Sequence, residues 1–572
     1  MEQTASEEDL VQEAFGAYRA GRRDEAGMLF RQVLARNPDR LGALLMLGII
    51  LAEGEGADVA AAETLFRRCL ELSPDNFLAL NHLGQLHLGR GERLAAAALF
   101  ERALAQNPGF APAFANLGTA LHGLGRRSAA LVAFDRALAL DPGLVTVHGR
   151  RGQVLADLGR WDEAAAAFRL AAAAAPEAAT AWCNLAAACE QTNALDEAEE
   201  AARRALALAP ADIDAHVQLA AILERAGRQA EALGLFATAA RLRGPTLVPC
   251  RAGPPQARIL ILGAPGGGNV PTRFLFDPER FETVTIHLPP AGHGESGTAG
   301  VGAAGCGIVF NAVGDGAADD PFLAQADAVL ARLALPVLNP PARIPPTSRD
   351  RLPALLAGIP GLVVPDTRRV SRADLAGVMA GAAEPMLVRP VGSHGGRDLV
   401  KVHTAAEVAR YLAGTPHPAF FVSPYVDYRS PDGYHRKFRF LFVDRQVYPY
   451  HLAVHDDWLI HYFRAEMEEE AWMRDEEKAF LADAGAVFPP PLAAAVAAVA
   501  RRLDLDYGGM DCALTRDGRV LVFEANACML LSLPDGGEEG APYKRRAAEA
   551  IRGAIARMVL GRLGGGRGVA PS

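Results

Sequence analysis

A pattern of small, aromatic and proline positions recurs about every 34 residues through the first 245 residues of the chain. The period is carried by six prolines: Pro38, Pro74, Pro108, Pro142, Pro176 and Pro210. A phenylalanine stands eight residues before each of the first five, and an alanine stands four residues before each phenylalanine. A further register of small residues contains Gly48, Gly84, Gly118, Gly152, Ala186 and Ala220. The spacing predicts one structural unit per period.

Each period has the length and the pattern of two amphipathic helices. The small residues allow these helices to approach closely, the phenylalanine fills the seam, and the proline ends the second helix. One unit cannot bury its own apolar face, so we expect successive units to stack. The pattern resembles the tetratricopeptide repeat. It predicts an all-α superhelix of about seven units over residues 1–245, the last of them degenerate.

A ladder of polar side chains stands two positions before the small-residue register: His82, Asn116, Arg150, Asn184 and Gln218. In the family that the repeats resemble, this position usually faces the concave side of the superhelix. Amide and basic side chains suit an extended peptide, whose backbone offers both donors and acceptors. The ladder therefore predicts a groove that binds a peptide or protein, and ordinary solvated polar residues are the alternative.

Residues 246–256 break the period and contain three prolines, which predicts a linker. Short β-rich runs follow at 258–263, 283–287, 307–311, 336–339 and 361–364, with helical patterns between several of them. This alternation predicts an α/β region with a mostly parallel sheet. The glycine-rich stretch 263–269 lacks the lysine of a phosphate loop and the spacing of a dinucleotide fingerprint, so we expect a flexible turn there.

A predicted hairpin near the C-terminus brings two acidic residues together. Asp517-Gly518 is a strong signal for a two-residue turn. Counting outward from it pairs Thr515 with Val520, and then Asp511 with Glu524. Cross-strand partners lie about 5 Å apart, so the two carboxylates are expected to repel each other.

Asn526 lies two residues after Glu524 and so shares its face of the strand. Three oxygen donors then converge where two carboxylates repel, and Mg²⁺ prefers such donors together with nucleotide phosphates. The pattern predicts a metal site of Asp511, Glu524 and Asn526. The alternative is an exposed acidic hairpin end, which the apolar run 520–523 disfavours.

A second predicted strand presents two cations. Lys437 and Arg439 lie on one face, and Phe438 and Phe440 lie on the other. Cations on a buried sheet require anions such as phosphates, whereas an exposed basic edge is the alternative. Upstream, strand 386–390 leads into a glycine-rich loop at 392–396, where backbone amides could wrap phosphates.

The order of these features resembles the ATP-grasp superfamily, nearest to the glutathione synthetase and ribosomal-protein glutamate ligase type. The resemblance covers roughly residues 257–562 and is strongest over 386–526. It implies an α/β (α+β) module with a preceding domain at 257–345, a nucleotide-binding and catalytic domain at 346–562, and a flexible tail at 563–572.

The resemblance also implies ATP and Mg²⁺ and assigns roles to particular residues. Nucleotide contacts fall to Arg349, Arg389, Gly392, Ser393, His394, Gly395, Gly396, Ser423, Tyr425, Val426 and Asp427. The Mg²⁺ ligands would be Asp511, Glu524 and Asn526, and the catalytic cations would be Arg389, Lys437 and Arg439. Arg351 is an alternative to Arg349.

The chain departs from the family pattern at three cationic positions. Arg349 and Arg389 stand where the family has lysine, and Lys437 stands where it has aspartate. The chain contains only four lysines, so the two arginines fit its composition and keep the charge. Arginine is nevertheless a larger, planar group.

These observations predict an ATP-dependent carboxylate–amine ligase that forms an amide through an acyl phosphate. The repeat arm would recruit a peptide or protein substrate, as in peptide modification. One competing hypothesis is a non-catalytic scaffold with a degenerate nucleotide-binding domain. Another is a kinase of the same fold.

Composition and charge limit the classes of partner and the cellular compartment that we expect for this chain. The net charge is −9, which disfavours nucleic acid and anionic membranes as partners. Seven cysteines form no CxxC pair and are expected to be buried, reduced thiols. No apolar run reaches the roughly 18 residues of a membrane span, and the acidic N-terminus is unlike a signal peptide. A cytoplasmic protein is expected.

Two further segments carry titratable residues. His451, His455 and His461 occur with Asp456 and Asp457, and we expect substrate or phosphate contacts there, or plain surface, rather than a metal site. The charged residues at 466–470 and 474–478 predict a solvated helix.

Overall fold

The computed structural model describes residues 6–53, 57–294, 303, 305–314, 320–379, 385–393, 396, 398–415, 417–460, 470–532 and 542–564. The chain forms two compact units, Met1–Pro210 and Ala211–Ser572. The secondary-structure elements described in the first unit are all helices, as the repeat pattern predicts.

The first unit consists of helix pairs in which each helix packs on the next. Its helices are α1 Glu7–Arg19, α2 Arg23–Arg36, α3 Leu41–Ala52, α4 Val59–Leu72, α5 Phe77–Gly89, α6 Arg93–Gln106, α7 Ala111–Gly123, α8 Arg127–Leu140, α9 Val145–Asp157, α10 Trp161–Ala174, α11 Ala179–Gln191 and α12 Leu195–Leu208. The periodic prolines follow the second helix of each pair, as predicted.

The seam between paired helices has the predicted construction. In four repeats a glycine of the first helix faces a phenylalanine of the second: Gly48 with Phe66, Gly84 with Phe100, Gly118 with Phe134 and Gly152 with Phe168. A Cβ at any of these glycines would lie 2.6 Å from the ring. The phenylalanines are buried. Only glycine therefore permits this helix spacing.

The second unit begins with one more helix pair, α13 Ile213–Arg225 and α14 Gln229–Arg243. By sequence period this pair belongs to the repeat array, and by its contacts it belongs with the α/β region. The predicted linker region contains the short strand β1, Thr246–Val248, which pairs antiparallel with the strand β3 defined next.

The first sheet of the second unit has the order β1-β3-β2-β4-β5. Its other strands are β2 Ala257–Gly263, β3 Phe281–His287, β4 Ile308–Asn311 and β5 Val337–Leu338, with helix α15 Pro321–Leu330 between the last two. Strands β3, β2, β4 and β5 run parallel, which confirms the predicted mostly parallel sheet for four of the five predicted runs. The fifth run, 361–364, lies in another sheet.

The glycine-rich stretch after β2 is a turn closed by one side chain. Asn269 Oδ1 accepts from the amide of Ala264 at 2.7 Å, and its Nδ2 donates to the carbonyls of Ala264 and Gly266. At least one backbone amide of this turn, that of Ala264, is therefore already hydrogen-bonded within the turn.

Two further sheets follow. An antiparallel sheet of order β7-β10-β8-β9 contains β7 Arg368–Ser371, β8 Met386–Pro390, β9 Val400–Val402 and β10 Ala419–Pro424. A sheet of order β12-β11-β13-β14-β6 contains β6 Leu362–Val363, β11 His435–Val443, β12 Gln446–His455, β13 Tyr507–Leu514 and β14 Val520–Asn526. The helices are α16 Leu352–Leu355, α17 Leu375–Met379, α18 Ala405–Ala413, α19 Ala471–Ala482, α20 Pro490–Leu503 and α21 Pro542–Gly564.

One face of the β11 sheet is covered by aromatic packing. Phe438 meets Phe480 of α19 at a ring-centroid distance of 5.0 Å, and Phe440 meets Phe488 at 5.0 Å. Because side chains alternate along a strand, Lys437 and Arg439 lie on the opposite face, as predicted. Among the described helices, none combines the length and hydrophobicity that crossing a bilayer requires.

Candidate functional site

A cavity of about 280 Å³ is lined by strands of two sheets, β8 and β10 on one side and β11, β13 and β14 on the other. Among the described residues, its charged lining consists of four cations, Arg349, Arg389, Lys437 and Arg439, and two carboxylates, Asp511 and Glu524. These six residues are separated by up to 175 positions in sequence and were each singled out by the sequence analysis. The positive side chains outnumber the negative ones by two.

The charged residues on the third sheet form a row across three strands. Arg439 lies opposite Asp511, and Asp511 lies opposite Glu524. Arg439 donates from Nε to Asp511 Oδ1 at 2.6 Å and from its terminal nitrogen to Oδ2 at 2.9 Å. Lys437 Nζ is 3.3 Å from the same Oδ2. Burial alone would raise the pKa of Asp511, but these two cations hold it well below its usual range.

The pairing of Asp511 with Glu524 is confirmed, but the turn that predicts it is wrong. Val520 pairs with Leu514 rather than with Thr515, and the amide of Thr515 donates to the carbonyl of Arg519 at 2.9 Å. The loop therefore has three residues, Arg516–Gly518, and Gly518 closes it with a positive φ of 77°, as is common in three-residue hairpin loops.

A β-bulge between Asp511 and Cys512 restores the predicted register. Cys512 pairs with Val522, and Asp511 pairs with Glu524, so Phe523 is the additional residue. The extra residue in the turn and the extra residue in the bulge offset each other. Phe523 lines the cavity, and its ring lies 4.9 Å from that of Tyr428.

Glu524 has a cation of its own. It forms an ion pair with Arg349, whose other terminal nitrogen donates to the carbonyl of Phe523 at 3.4 Å. Burial would raise the pKa of Glu524, whereas the positive charge of Arg349, with those of Arg389 and Arg439, lowers it. The repulsion expected between the two carboxylates is thus offset here by guanidinium groups. Arg351, the alternative to Arg349, is exposed and away from the cavity lining.

Arg389 differs from the other cations. Its side chain is buried and donates to Oγ of Ser393 at 3.2 Å and to the carbonyl of the same residue. Within the described part of the chain, no carboxylate lies at ion-pair distance from it. Burial, with a contribution from the charge of Arg349, lowers the pKa of Arg389 to about 9. A buried cation that lacks an anionic partner is poised to receive one from a ligand.

The glycine-rich loop reaches the cavity at one end. Gly396 and Leu399 line the cavity, whereas Gly392 and Ser393 do not. Gly392 and Gly396 both have positive φ values, near 80° and 75°, so glycine is required at these two turns. The predicted contacts His394 and Gly395 lie outside the described residues.

The predicted nucleotide contacts at 423–426 form the opposite end of the cavity. Ser423, Tyr425 and Val426 line the cavity, and the amide of Tyr425 donates to the carbonyl of Pro385 at 2.8 Å. Asp427 does not line it. Its carboxylate lies 3.5 Å from Arg429 and 3.2 Å from Arg516.

An aromatic and apolar group at this end was missed by the sequence analysis. Trp458, Leu459 and Ile460 line the cavity, with the Trp458 ring 5.8 Å from that of Tyr425. Lys401 Nζ lies 4.3 Å from the centre of the Tyr425 ring and 5.1 Å from the Trp458 ring. The only signal in the sequence is an apolar run at 458–460 directly after the polar segment 455–457.

Asn526, the third predicted metal ligand, shares the face of Glu524 but is absent from the cavity lining. Its Oδ1 accepts from the amide of Cys528 at 2.9 Å. Among the described residues, no group of three or more histidine, cysteine or acidic side chains is arranged to hold a metal.

The histidine-rich segment differs from expectation. His451 lies in β12 opposite Arg439 and is buried away from the cavity, with Nδ1 bonded to Glu477 of α19. Glu477 is fully buried and also accepts from Tyr543 at 3.0 Å and Lys544 at 2.9 Å, so the prediction of a solvated helix is wrong there. His461 and residues 466–469 lie outside the described residues.

The polar ladder links successive repeats. Asn116 donates to Asn81 Oδ1 at 3.0 Å, and Arg150 donates to Thr119 Oγ1 at 2.8 Å, each bond joining neighbouring repeats. His82 bonds Gln85 at 2.9 Å. Asn184 is half-buried in α11, and Gln218 is half-buried in α13 of the second unit.

Comparison with known proteins bears on the first unit. Family profiles described as tetratricopeptide repeat match residues 13–77, 87–147 and 150–213. Similar solved structures include MamA from Desulfovibrio magneticus RS-1, with 26% identity, a TM-score of 0.29, and coverage of 29% of this chain and 95% of that one. TTC0263 of Thermus thermophilus shares 28% identity, with a TM-score of 0.26 and coverage of 32% and 99%. No curated protein matches the chain significantly.

The match of these profiles to consecutive stretches agrees with the 34-residue period, the paired helices and the glycine–phenylalanine seams. The N-terminal region of this chain is therefore an array of tetratricopeptide repeats.

Proposed function

We propose that the second unit is an ATP-dependent carboxylate–amine ligase of the ATP-grasp type, and that the repeats recruit its peptide or protein substrate. The observation that carries the proposal is the cavity, where four cations meet two carboxylates between two sheets. An excess of two positive charges in a partly enclosed space suits a polyphosphate. Magnesium-bound ATP carries the complementary charge.

The cavity has a distinct place for each part of a nucleotide. Arg389, buried and without a carboxylate partner among the described residues, would neutralise a phosphate, with Gly396 supplying backbone near the same end. The apolar end with Tyr425, Val426 and Trp458 would receive the base, since aromatic rings favour contact with other aromatic systems.

The carboxylates Asp511 and Glu524 fit a magnesium ion by their donor chemistry, because Mg²⁺ prefers oxygen ligands completed by phosphates and water. Asn526 would need to turn from the amide of Cys528 to join them. When bound, the ion would shield the phosphate charges. Arg349, Lys437 and Arg439, which now engage the carboxylates, would be released toward the anionic reactants.

In the proposed reaction a carboxylate oxygen of the substrate attacks the γ-phosphorus, and the bond to the β,γ-bridging oxygen breaks to release ADP. An amine then attacks the carbonyl carbon of the acyl phosphate, inorganic phosphate leaves with the bonding electron pair, and the amine loses a proton. Lys437 and Arg439 would reduce the repulsion between the two anions that must meet.

The repeat array supports the recruitment part of the proposal. Stacked helical repeats present extended binding surfaces. Asn116 and Arg150 each form a side-chain hydrogen bond to the preceding repeat. These side chains can exchange such bonds for bonds to a peptide backbone.

A non-catalytic scaffold is the second candidate, and one observation favours it. Both carboxylates are already neutralised by arginine, so neither of them requires a metal ion. In this interpretation the repeats carry the function by binding a partner, and the second unit does not turn over ATP.

ADP release separates the candidates. The full chain with Mg-ATP should release ADP when a mixture of candidate carboxylates and amines is added, and mass spectrometry should detect the amide. Glu524→Gln should lose this activity. Asp517→Asn is the matched control, because Asp517 is exposed at the tip of the same hairpin. ATP-dependent phosphorylation of a hydroxyl would favour the kinase, and no turnover with any mixture would favour the scaffold.

A further inference from the structure

The last helix pair of the repeat array is built into the α/β unit. Phe236 of α14 occupies the phenylalanine register of the repeats, 34 residues after Ala202. Its ring reaches Gly266 in the turn after β2, where a Cβ would lie 2.6 Å from Cε1. It also meets Phe322 of α15 edge to face at 5.8 Å. The side chain that elsewhere fills the seam between the paired helices of a repeat therefore joins this pair to the parallel sheet.

The same pair contacts Asp398, two residues after the glycine-rich loop 392–396. Arg225, the last residue of α13, lies 3.8 Å from Asp398, with side-chain exposures of 12% and 31%. Asp398 stands between Gly396 and Leu399, which both line the cavity. A cation at the C-terminus of a helix is favoured by the helix dipole, so Arg225 is held where its charge is stabilised.

Asp398 has an unusual backbone conformation that is held by hydrogen bonds. Its φ of 55° is in the left-handed region, which aspartate tolerates better than most residues. Its carbonyl accepts from the hydroxyl of Tyr411 of α18 at 2.7 Å, and the amide of Leu399 donates to the carbonyl of Gly396 at 3.3 Å. The Tyr411 bond holds the backbone, and the Arg225 ion pair holds the side chain.

We propose that Arg225 is a positioning residue for the end of the nucleotide-binding loop, acting through Asp398 to hold Gly396 and Leu399 against the cavity. The inference rests on the proposed nucleotide function. It assigns to a repeat residue a role in ATP affinity. Gln218, the last member of the polar ladder, lies seven residues earlier on the same face of α13, about 10 Å away along the helix. Arg225, which contacts Asp398, and Gln218, at the end of the ladder, thus lie on one face of α13.

The test measures ATP affinity of the full chain by titration calorimetry with Mg²⁺ present. Arg225→Ala and Asp398→Asn should each weaken ATP binding by roughly two- to fivefold, the range expected for a partly exposed ion pair. Asparagine keeps the left-handed backbone accessible at 398. The double variant should bind no more weakly than either single variant, because both remove one interaction. Arg225→Lys should retain most of the affinity.

Arg243→Ala is the matched control, since Arg243 pairs with Asp214 at 2.8 Å within the same helix pair. Amide hydrogen exchange over residues 396–399 should rise in Arg225→Ala and stay at the wild-type rate in Arg243→Ala. Wild-type affinity and exchange in Arg225→Ala would overturn the inference, and Asp398→Asn decides the matter should Arg225→Ala fold poorly. Absence of ATP binding by the wild type would instead overturn the proposed function, on which the inference rests.

Discussion

Asp511 and Glu524 face each other across β13 and β14, and each is bonded to a different arginine, Asp511 to Arg439 and Glu524 to Arg349. Two like charges at adjacent cross-strand positions are unfavourable unless each is neutralised. The pair therefore concentrates four charges on one face of the sheet. That face lines the cavity where the proposed chemistry takes place.

Glu524→Gln should lower ATP turnover by roughly 100-fold or more, the scale for removing one electrostatic group from an active site. The fold should persist, because Glu524 and Arg349 are both about a quarter exposed and water can solvate the released guanidinium. Steady-state ADP release with Asp517→Asn as control measures the effect. Equal turnover in Glu524→Gln and wild type would remove Glu524 from the proposed site.

Asp511→Asn should cost more stability, about 3–5 kcal/mol, because Asp511 is itself buried and two cations, Arg439 and Lys437, lose their counter-charge together. The folded-state pKa of Asp511 is lowered, so its stabilising effect is present above its unfolded pKa of about 3.9 and is lost as the pH falls through the folded value. The stability difference between wild type and variant should be constant from about pH 5 to pH 8 and shrink below about pH 4. Thermal melts across this range check it, and a difference that grows at low pH would contradict the ion pair.

Gly118→Ala should destabilise the repeats by about 1–3 kcal/mol, because the added methyl group meets the ring of Phe134. Gly89→Ala is the matched control: nothing lies within 4 Å of a Cβ there, and alanine favours a helix. Adding Phe134→Leu to Gly118→Ala should recover part of the loss. Denaturant unfolding followed by circular dichroism measures all of these, and equal effects at both glycines would rule out the seam as the cause.

Asn116→Ala with Asn184→Ala should raise the KM for a peptide substrate while kcat stays near the wild-type value. Each lost hydrogen bond is worth about 0.5–1.5 kcal/mol, and losing uniform binding raises KM alone. ATP affinity should not change. Steady-state kinetics at saturating ATP tests this, and an unchanged KM would return the ladder to ordinary solvated polar residues.

How far the sequence predicts this molecule depends on whether a feature is periodic. The glycine–phenylalanine seams repeat four times, so their spacing alone predicts the packing. The charged row was also predictable, since Lys437, Arg439, Asp511 and Glu524 sit on strands with clear alternation. Its predicted register is correct only because the longer turn at 515–519 and the bulge at Phe523 each shift the pairing by one residue and cancel.

Some contacts between segments that are distant in sequence could not be predicted from any local pattern. Trp458 reaches the cavity from a loop after β12, and Arg225 reaches Asp398 across 173 positions of sequence. Glu477 looks like a member of a solvated charged helix, yet tertiary packing buries it against His451 and Lys544. Local pattern cannot reveal which polar residue of a helix meets a partner from another element.

The most direct test of the central claim is the affinity of the full chain for ATP, with Mg²⁺, in wild type and in Arg389→Met. Arg389 is buried and faces no carboxylate at ion-pair distance among the described residues, so a phosphate is its expected partner. Losing that contact should weaken binding about 30-fold, which corresponds to roughly 2 kcal/mol. Arg389→Lys should remain within a few fold of wild type. Equal ATP affinity in Arg389→Met and wild type, or none in either, would contradict the account.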